Sequence, residues 1–270
     1  TPGTEMMDHL GKYLEWYIRT MISTSPDWHN LEVIFSNEKV PGEGEHKIIN
    51  YIKSYKEKGI TENICIHGLD ADLIMLTLST HLETPLYILR EYGHGATQLQ
   101  LLDITLFKSK LIRECLRWES HKEVGANPAK FNKKTAIDDF IFLCFLVGND
   151  FVPNVPSLAI LEGGITTMLN VYRNVCSELG HLTKISRRNR KQTIVFNLET
   201  LQVYLQTLSS FEEEIISNKA GNSDFIYDSL LEKHTTENFN GIKLNYQNYT
   251  SEFYTKKFGE GYDMKTICHE

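Results

Sequence analysis

Helices and short strands alternate in the pattern of apolar positions along the first part of the chain. Apolar residues recur at helical spacing in residues 5–23 and again in "HKIINYIKSY", which follows Glu45. The runs "LEVIFS", "NICIH" and "LYILRE" are short, rich in β-branched or aromatic residues and typical of strands. A further helix is predicted from Asp70 to about Ser79. This alternation predicts an α/β fold with a mostly parallel sheet.

The later part of the chain is predicted to be richer in helix. "QLQLLDI" is strand-like and leads into an amphipathic helix that bears Trp118. The most apolar helix is predicted to open at Asp138 and Asp139, because acids in a first turn suit the helix dipole. Residues 198–218 form another amphipathic helix, and the polar residues that follow are predicted to pack poorly.

Five acids lie where predicted elements begin or end. Glu43 and Glu45 flank a glycine where a loop enters a helix, and Asp70 and Asp72 follow the strand "NICIH". In open α/β sheets the ligand crevice lies at the carboxyl ends of such strands. Asp150 follows the apolar helix in "LVGND". Each acid taken singly is also typical of a helix cap or first turn, so the interpretation as a site depends on the combination.

Converging acids need a compensating charge. Carboxylates about 4 Å apart repel by roughly 4 kcal/mol per pair at an effective dielectric constant of about 20. A cluster of them is therefore unstable unless protons or cations neutralise it. Mg²⁺ prefers oxygen ligands, and two such ions about 3.5–4 Å apart can assist the displacement of a phosphodiester. The pattern predicts metal-dependent hydrolysis of nucleic acid.

Charge and cysteine content narrow the classes of function. The formal net charge of −7 disfavours broad nonspecific nucleic-acid binding, which depends on Lys and Arg, but does not exclude a nuclease. The five cysteines form no Cys-x-x-Cys pair, which disfavours a zinc site and a disulfide framework. The sequence has no run of about 18 apolar residues that would predict a membrane span. The dense basic run at residues 183–192 is interpreted as a solvated loop, with RNA steering as the alternative.

Several strings resemble the nuclease core of the Xrn-type 5′-to-3′ exoribonucleases, which are relatives of the flap endonucleases and PIN nucleases. They include "TPGTEMM", "VPGEGEHKIINYI", "HGLDADLIML", "LLDITLFKSKL" and "AIDDFIFLCFLVGNDFVPNVPSLAILEGGI", in the family's order. The resemblance implies a three-layer Rossmann-like core of PIN or FEN type in residues 1–180. It implies a helical extension in residues 181–270.

The resemblance also implies a site and an activity. The acids that match the family's metal ligands are Glu43, Glu45, Asp70, Asp72 and Asp150. These acids are expected to hold two Mg²⁺ or Mn²⁺ ions. The implied activity is the degradation of 5′-monophosphorylated RNA to mononucleotides. Arg90 is a candidate contact for a substrate phosphate, and a structural salt bridge is the alternative for it.

The chain departs from the family at its amino-terminal end. The family's first segment, which supplies two further metal-binding aspartates and a pocket for the 5′-monophosphate, has no counterpart here, so we expect a piece of a longer protein. The interval from Arg90 to Leu101 lacks the zinc-knuckle cysteines of nuclear members, which predicts a cytoplasmic location, with the nucleus as the alternative. A flap-type DNA endonuclease and a catalytically inactive RNA-decay scaffold remain alternative functions.

Overall fold

The chain forms two compact units, residues 1–105 and 106–270. The computed structural model describes residues 3–59, 62–92, 98–118, 130–160, 163–188, 191–220, 228–238 and 241–263. The domain boundary predicted at residue 180 lies inside the second unit and stays a prediction. Among the described helices, none has both the length and the apolar character that crossing a membrane requires.

The described part of the first unit combines helices with one small sheet. Its helices are α1 (Glu5–Thr24), α2 (Gly44–Glu57) and α3 (Asp72–Ser79), with a 3-10 turn at Pro26–Trp28. Its strands are β1 (Ile64–His67), β2 (Leu86–Tyr92) and β3 (Gln98–Asp103). The first helix and these three strands were predicted and are confirmed. "LEVIFS" was predicted as a strand but forms none, and most of its apolar side chains are exposed.

The sheet of the first unit has the order β1-β2-β3. Strands β1 and β2 are parallel, with His67 opposite Leu89, whereas β3 returns antiparallel to β2. The apolar residues buried in this unit include Ile49, Ile52, Ile66, Leu73, Leu78, Leu86 and Ile88. The mixed α/β class is confirmed. The predicted mostly parallel sheet is not found in the described residues, where one of the four strand pairings is parallel.

The described part of the second unit is mainly helical, with two antiparallel hairpins. Helix α4 crosses into it from the first unit. The helices are α4 (Ile104–Lys110), continued by a π-helical turn at Leu111–Leu116, α5 (Lys133–Leu146), α6 (Gly164–Leu179), α7 (Leu198–Ser209), α8 (Glu212–Ala220), α9 (Ser229–Lys233) and α10 (Tyr246–Phe258). The strands are β4 (Thr183–Arg188), β5 (Lys191–Phe196), β6 (Thr235–Asn238) and β7 (Gly241–Leu244).

Helix α5 begins at Lys133, before the predicted start at Asp138. The cause is Asn132, whose side-chain oxygen accepts hydrogen bonds from two backbone N–H groups of the first turn, at 2.9 and 3.1 Å. Asp138 and Asp139 therefore lie in the second turn. The prediction that they are first-turn acids favoured by the helix dipole is wrong, and Asp139 needs another explanation.

Asp139 is fully buried and accepts hydrogen bonds from several segments of the second unit. The hydroxyl of Tyr172 donates to Oδ2 at 2.8 Å, and His181 Nδ1 lies 2.7 Å from the same oxygen. The backbone N–H and the hydroxyl of Thr183 donate to Oδ1 at 2.8 and 2.6 Å, and the N–H of Leu182 adds a longer bond. A buried carboxylate is tolerated only when such donors surround it. Asp139 thus joins α5, α6 and the first residue of β4.

The imidazole of His181 is fixed in one tautomer by these contacts. The backbone N–H of Asn132 donates to Nε2 at 2.8 Å, so Nε2 carries no proton. Nδ1 therefore carries the hydrogen that it donates to Asp139. The ring lies against Trp118 and Phe131, with centroids 4.8 and 5.6 Å away. The pair is a hydrogen bond between a neutral imidazole and a carboxylate within an aromatic enclosure.

The basic run interpreted as a loop is instead a β-hairpin. Strands β4 and β5 are antiparallel, with Thr183 opposite Phe196 and Ile185 opposite Ile194. The loop interpretation is therefore wrong. The sequence signal for a strand is an alternation of apolar and polar residues, and the many charged residues of this run conceal it. Arg190 lies outside the described residues.

Two further differences concern the carboxy-terminal part. The helix predicted at residues 198–218 is divided between α7 and α8 near Ser210, whose hydroxyl donates to the carbonyl of Thr207 at 2.7 Å. The segment predicted to pack poorly contributes to a small core. That core contains Ile216, Leu230, Leu244 and Tyr249. These residues come from four elements, and no single period in the sequence indicates them.

We expect Asp139→Asn to lower the free energy of unfolding by at least about 3 kcal/mol, because an amide cannot accept all these hydrogen bonds and leaves buried donors without partners. Urea unfolding followed by tryptophan fluorescence, to which Trp118 beside His181 contributes, measures the change. Glu178→Gln, an exposed acid-to-amide change on α6, is the matched control. Equal unfolding midpoints for the two variants would contradict the role of Asp139.

Candidate metal centre

The loop before α2 brings Glu43 and Glu45 to the amino-terminal end of that helix. The carbonyl of Glu43 accepts the N–H of Lys47 at 3.0 Å, and Glu45 lies in the first turn, where the helix dipole favours an acid. The ammonium of Lys47 donates to the carbonyls of Asn37 at 3.2 Å and Val40 at 2.9 Å. Lys47 therefore fixes the approach of the loop to α2.

Asp70 and Asp72 follow the carboxyl end of β1. The N–H of Gly68 donates to the carbonyl of Leu89 at 3.1 Å, which extends the contact with β2 past the end of the strand. A side chain at position 68 would collide with the buried Leu73, since an ideal Cβ there lies 2.4 Å from Leu73 Cδ1. The backbone at Gly68 therefore packs closely against the side chain of Leu73. Asp72 begins α3 directly afterwards.

Arg90 holds the segment between β1 and Asp70. Its guanidinium Nη2 donates to the carbonyl of Leu69. Neither of the two roles predicted for Arg90 includes this backbone contact. Because Leu69 directly precedes Asp70, the hydrogen bond fixes the position from which that carboxylate extends.

Three of the five predicted ligands come together in the structure. Glu45, Asp70 and Asp72 each offer a carboxylate oxygen, and these oxygens lie within 4.8 Å of one another. Within the described residues this is the one group of three or more potential metal-binding side chains. Asp70 is exposed, whereas Glu45 and Asp72 are partly buried. Asp72 Oδ1 is buried and has no hydrogen-bond partner among the described residues.

The proximity of these acids changes the protonation of Glu45. Partial burial raises the pKa of Glu45 to about 7, with contributions from a hydrogen bond to Asp70 and from the charge of Asp72. Close to neutral pH Glu45 therefore keeps a proton in a substantial fraction of the molecules. A proton is one means of relieving the repulsion, and a cation is the other.

The residues fit a hard divalent cation. All three side chains offer carboxylate oxygens, which are the ligands that Mg²⁺ and Mn²⁺ prefer. The unsatisfied Oδ1 of Asp72 and the raised pKa of Glu45 both indicate a cluster that lacks a positive partner. Among the described residues no Lys or Arg forms an ion pair with these three acids, and Lys47 and Arg90 donate to backbone carbonyls.

The other two predicted ligands, Glu43 and Asp150, are not members of this group of three. Glu43 is exposed and lies 3.4 Å from Nδ1 of His46, and its charge adds to the raised pKa of Glu45. Asp150 belongs to the second unit, where it is exposed on the bend after Gly148. The roles of Glu43 and Asp150 as ligands stay predictions.

The backbone contacts of Lys47 and Arg90 were not predicted. The sequence signal for Lys47 is weak, since a lysine near a helix start does not indicate which backbone carbonyls it will contact. Arg90 was placed near the carboxyl end of its strand, but nothing in the sequence indicates Leu69 as its acceptor. Such contacts depend on the tertiary approach of two segments and leave no periodic pattern.

Two family models match this chain. The model described as the XRN 5′-3′ exonuclease N-terminus matches residues 1–92, and the model described as the Xrn1 helical domain matches residues 130–266. The first match contains Glu45, Asp70 and Asp72, and the second contains Asp139 and Asp150.

Curated relatives agree with both models. A 5′-3′ exoribonuclease 1 of Schizosaccharomyces pombe is 36% identical over 90% of this chain and 19% of the relative. A 5′-3′ exoribonuclease 1 of Saccharomyces cerevisiae is 38% identical over 78% of this chain and 14% of the relative. A 5′-3′ exoribonuclease 2 of Gallus gallus is 33% identical over 81% of this chain and 26% of the relative. The chain thus spans about a fifth of the length of the first of these relatives.

We expect Mg²⁺ to stabilise the chain more at about pH 8 than at about pH 5.5. The pKa of Glu45 is raised from 4.5 to about 7, so the folded chain keeps a proton between these values that the unfolded chain has lost. Without a cation, the stability that the protonated carboxyl of Glu45 contributes is fully present below its pKa of 4.5 in the unfolded chain. That contribution is lost as the pH rises through about 7. A cation replaces the proton and restores the loss at high pH.

Differential scanning calorimetry at several Mg²⁺ concentrations measures this effect. At a hundredfold excess over the dissociation constant, the expected rise in Tm is roughly 5 °C. Glu45→Gln is expected to lose most of the rise and its pH dependence. Glu199→Gln, at an exposed first-turn position of α7, is expected to keep both. The same Mg²⁺ response in the two variants would count against the site.

We expect Arg90→Met to weaken cation binding roughly tenfold, the usual effect of losing a residue that orients a ligand. The reason is that the carbonyl of Leu69 loses its donor, and the segment that carries Asp70 gains freedom. The Mg²⁺ concentration at half of the maximal Tm rise measures the change. Arg19→Met, which removes an exposed guanidinium that pairs with Glu15 on α1, is the control. Equal Mg²⁺ dependence for Arg90→Met and Arg19→Met would refute the positioning role.

Proposed function

Because this chain belongs to the Xrn family of 5′-3′ exonucleases, we propose that it is part of the catalytic region of a metal-dependent 5′-to-3′ exoribonuclease. The observation that carries the proposal is the convergence of the carboxylate oxygens of Glu45, Asp70 and Asp72. The three acids lie in the unit that the exonuclease N-terminus model matches. Relatives named 5′-3′ exoribonucleases support the direction of attack and the class of substrate.

The proposed cofactor is Mg²⁺ or Mn²⁺, with two ions in the complete site. Glu45, Asp70 and Asp72 are proposed to hold a cation, and Glu43 and Asp150 are proposed as further ligands. When bound, such ions lower the pKa of water and offset the charge that develops on phosphodiester oxygens.

Three side chains, those of Glu45, Lys47 and Arg90, are proposed to prepare the site for cation and substrate binding. Glu45 holds a proton near neutral pH in part of the molecules and gives it up when a cation takes its place. Lys47 holds the loop that precedes Glu45. Arg90 holds Leu69 through Nη2, and its remaining guanidinium donors are proposed to contact a substrate phosphate, since Arg offers five donors in a planar fork.

The substrate is proposed to be RNA with a 5′-monophosphate, which is degraded to mononucleotides. The chain spans 14 to 26% of the three relatives described above, so the activity is proposed for a longer protein whose amino-terminal segment completes the site. The three-layer Rossmann-like core of PIN or FEN type, with its helical extension, is part of the same proposal. The proposed location is the cytoplasm, with the nucleus as the alternative.

The test is nucleotide release from 5′-monophosphate RNA in Mn²⁺. We expect the chain joined to the amino-terminal segment of an Xrn relative to release mononucleotides. Asp70→Asn and Asp72→Asn should lower the rate roughly 100-fold or more, because they remove cation ligands directly, while RNA binding is retained. Asp27→Asn, an exposed acid of the same unit, should leave the rate unchanged.

Three results would contradict the proposal. Full activity of Asp70→Asn would exclude the assigned site. Internal cleavage of flap DNA, together with no release of nucleotides from RNA, would indicate the flap endonuclease alternative. Metal-independent RNA binding without release by the joined protein would indicate an inactive scaffold.

A further inference from the structure

The β4–β5 hairpin has a charge opposite to that of the chain as a whole. The basic run at residues 183–192, most of which lies in its two strands, contains five Lys or Arg residues, while the chain carries a net charge of −7. No Asp or Glu occurs from residue 179 to residue 198. A local positive potential is therefore not cancelled by acids within the hairpin itself.

The base of the hairpin is fixed to the second unit. Thr183, the first residue of β4, donates twice to the buried Asp139 at 2.8 and 2.6 Å. Phe196, the last residue of β5, packs edge-on against Phe142 of α5 with centroids 4.8 Å apart. The N–H of Asn197 donates to the carbonyl of Leu182 at 2.7 Å. The ribbon therefore starts from a rigid support.

Beyond its base the hairpin exposes both charge and apolar surface. Lys184 and Arg187 are exposed. Ile185 and Ile194 lie directly opposite each other in the register and are 48% and 53% exposed. An exposed aliphatic pair in the middle of a ribbon has no evident use in the core of this unit. The pair adds apolar surface beside the exposed charges, which a partner can cover.

We propose that the β4–β5 hairpin is a second RNA-binding surface, separate from the carboxylate cluster, that contacts the sugar-phosphate backbone of single-stranded RNA. This inference rests on the proposed function, because it takes RNA as the partner. Lys184 and Arg187 bind phosphates. The hydroxyls of Ser186 and Thr193, which are opposite each other in the register, are further donors for phosphate or ribose oxygens. Because side chains alternate along a strand, Ile185, Ile194 and Arg187 lie on one face of the ribbon, whereas Lys184, Ser186 and Thr193 lie on the other. The RNA backbone therefore follows the length of the ribbon, where the long basic side chains of both faces reach its phosphates, and Ile185 and Ile194 offer apolar surface beside Arg187.

RNA matches the hairpin better than an acidic protein for an electrostatic reason. A chain of net charge −7 whose site is built from acids repels a polyanion, so binding needs a region of opposite sign. The hairpin is such a region, and two-stranded ribbons have the dimensions to lie along a nucleic-acid backbone. Single-stranded RNA also offers ribose and base faces for the apolar pair.

The experiment measures RNA binding by the full chain as a function of salt. The RNA is a fluorescein-labelled single strand of about 20 nucleotides with a 5′-monophosphate, and EDTA prevents its degradation. Fluorescence anisotropy is recorded between about 50 and 200 mM KCl. The test variant is Lys184→Gln with Arg187→Gln. The matched control is Lys243→Gln with Lys110→Gln, which removes two exposed charges outside this hairpin.

We expect the hairpin variant to bind RNA about five- to 25-fold more weakly at about 0.1 M salt. Each lost phosphate contact lowers the slope of log K against log salt by about 0.7, which corresponds to about fivefold at that salt concentration. The control should keep the affinity and slope of the unsubstituted chain. Lys184→Arg with Arg187→Lys, which conserves the charge, should restore binding, and circular dichroism should show an unchanged fold.

Equal affinity and slope for the hairpin variant and the unsubstituted chain would overturn the inference, and so would the absence of RNA binding by the unsubstituted chain. The proposed contact with the RNA backbone would also be overturned if the double variant Ile185→Ser with Ile194→Ser bound RNA more weakly while the charge variant kept its affinity. Failure of the proposed function is recognised separately, because it appears as missing nucleotide release by the unsubstituted protein joined to its amino-terminal segment.

Discussion

Repulsion between the carboxylates of Glu45, Asp70 and Asp72 is the constraint on which the first unit depends. The fold brings these oxygens within 4.8 Å of one another without supplying a counter-charge. Lys47 and Arg90, which belong to the segments beside these acids, donate to backbone carbonyls. The protein therefore uses its cations to hold the segments that carry the acids, and the charge of the acids remains available. A proton held by Glu45 near neutral pH relieves part of the repulsion, and the proposed divalent cation would take its place.

Asp139 is also a carboxylate, but its oxygens are taken up by hydrogen bonds within the fold. It is more deeply buried than Asp72, yet both of its oxygens accept hydrogen bonds from Tyr172, Thr183 and their neighbours. Asp72 has a buried oxygen with no partner among the described residues. A carboxylate with every acceptor satisfied stabilises the fold, whereas one with an unsatisfied acceptor beside other acids is prepared for a ligand. Each of the two has a buried carboxylate oxygen, and the hydrogen bonds to that oxygen distinguish the two cases.

Local patterns explain what could be predicted from the sequence. The strand "NICIH" with its glycine placed Asp70 and Asp72 correctly, because strand ends and first helical turns are local features. Residues 31–36 have strand composition, but a strand also needs a hydrogen-bonded neighbour, which the described residues do not provide. The hydrogen bonds of Asp139 reach residues more than thirty positions away, so no window of sequence contains them. The backbone acceptor of Arg90 was missed for the same reason.

The network of Asp139 also bears on function, because it ends at the base of the basic hairpin. Thr183 is both a donor to Asp139 and the first residue of β4, so the position of the ribbon depends on a buried carboxylate. A basic surface on a mobile segment would lose conformational entropy whenever it contacts a polyanion, and that loss weakens binding. A ribbon with a fixed base loses less. The same acidic residue type therefore serves two opposite purposes in this chain, since it prepares a cation site in one unit and orients positive charge in the other.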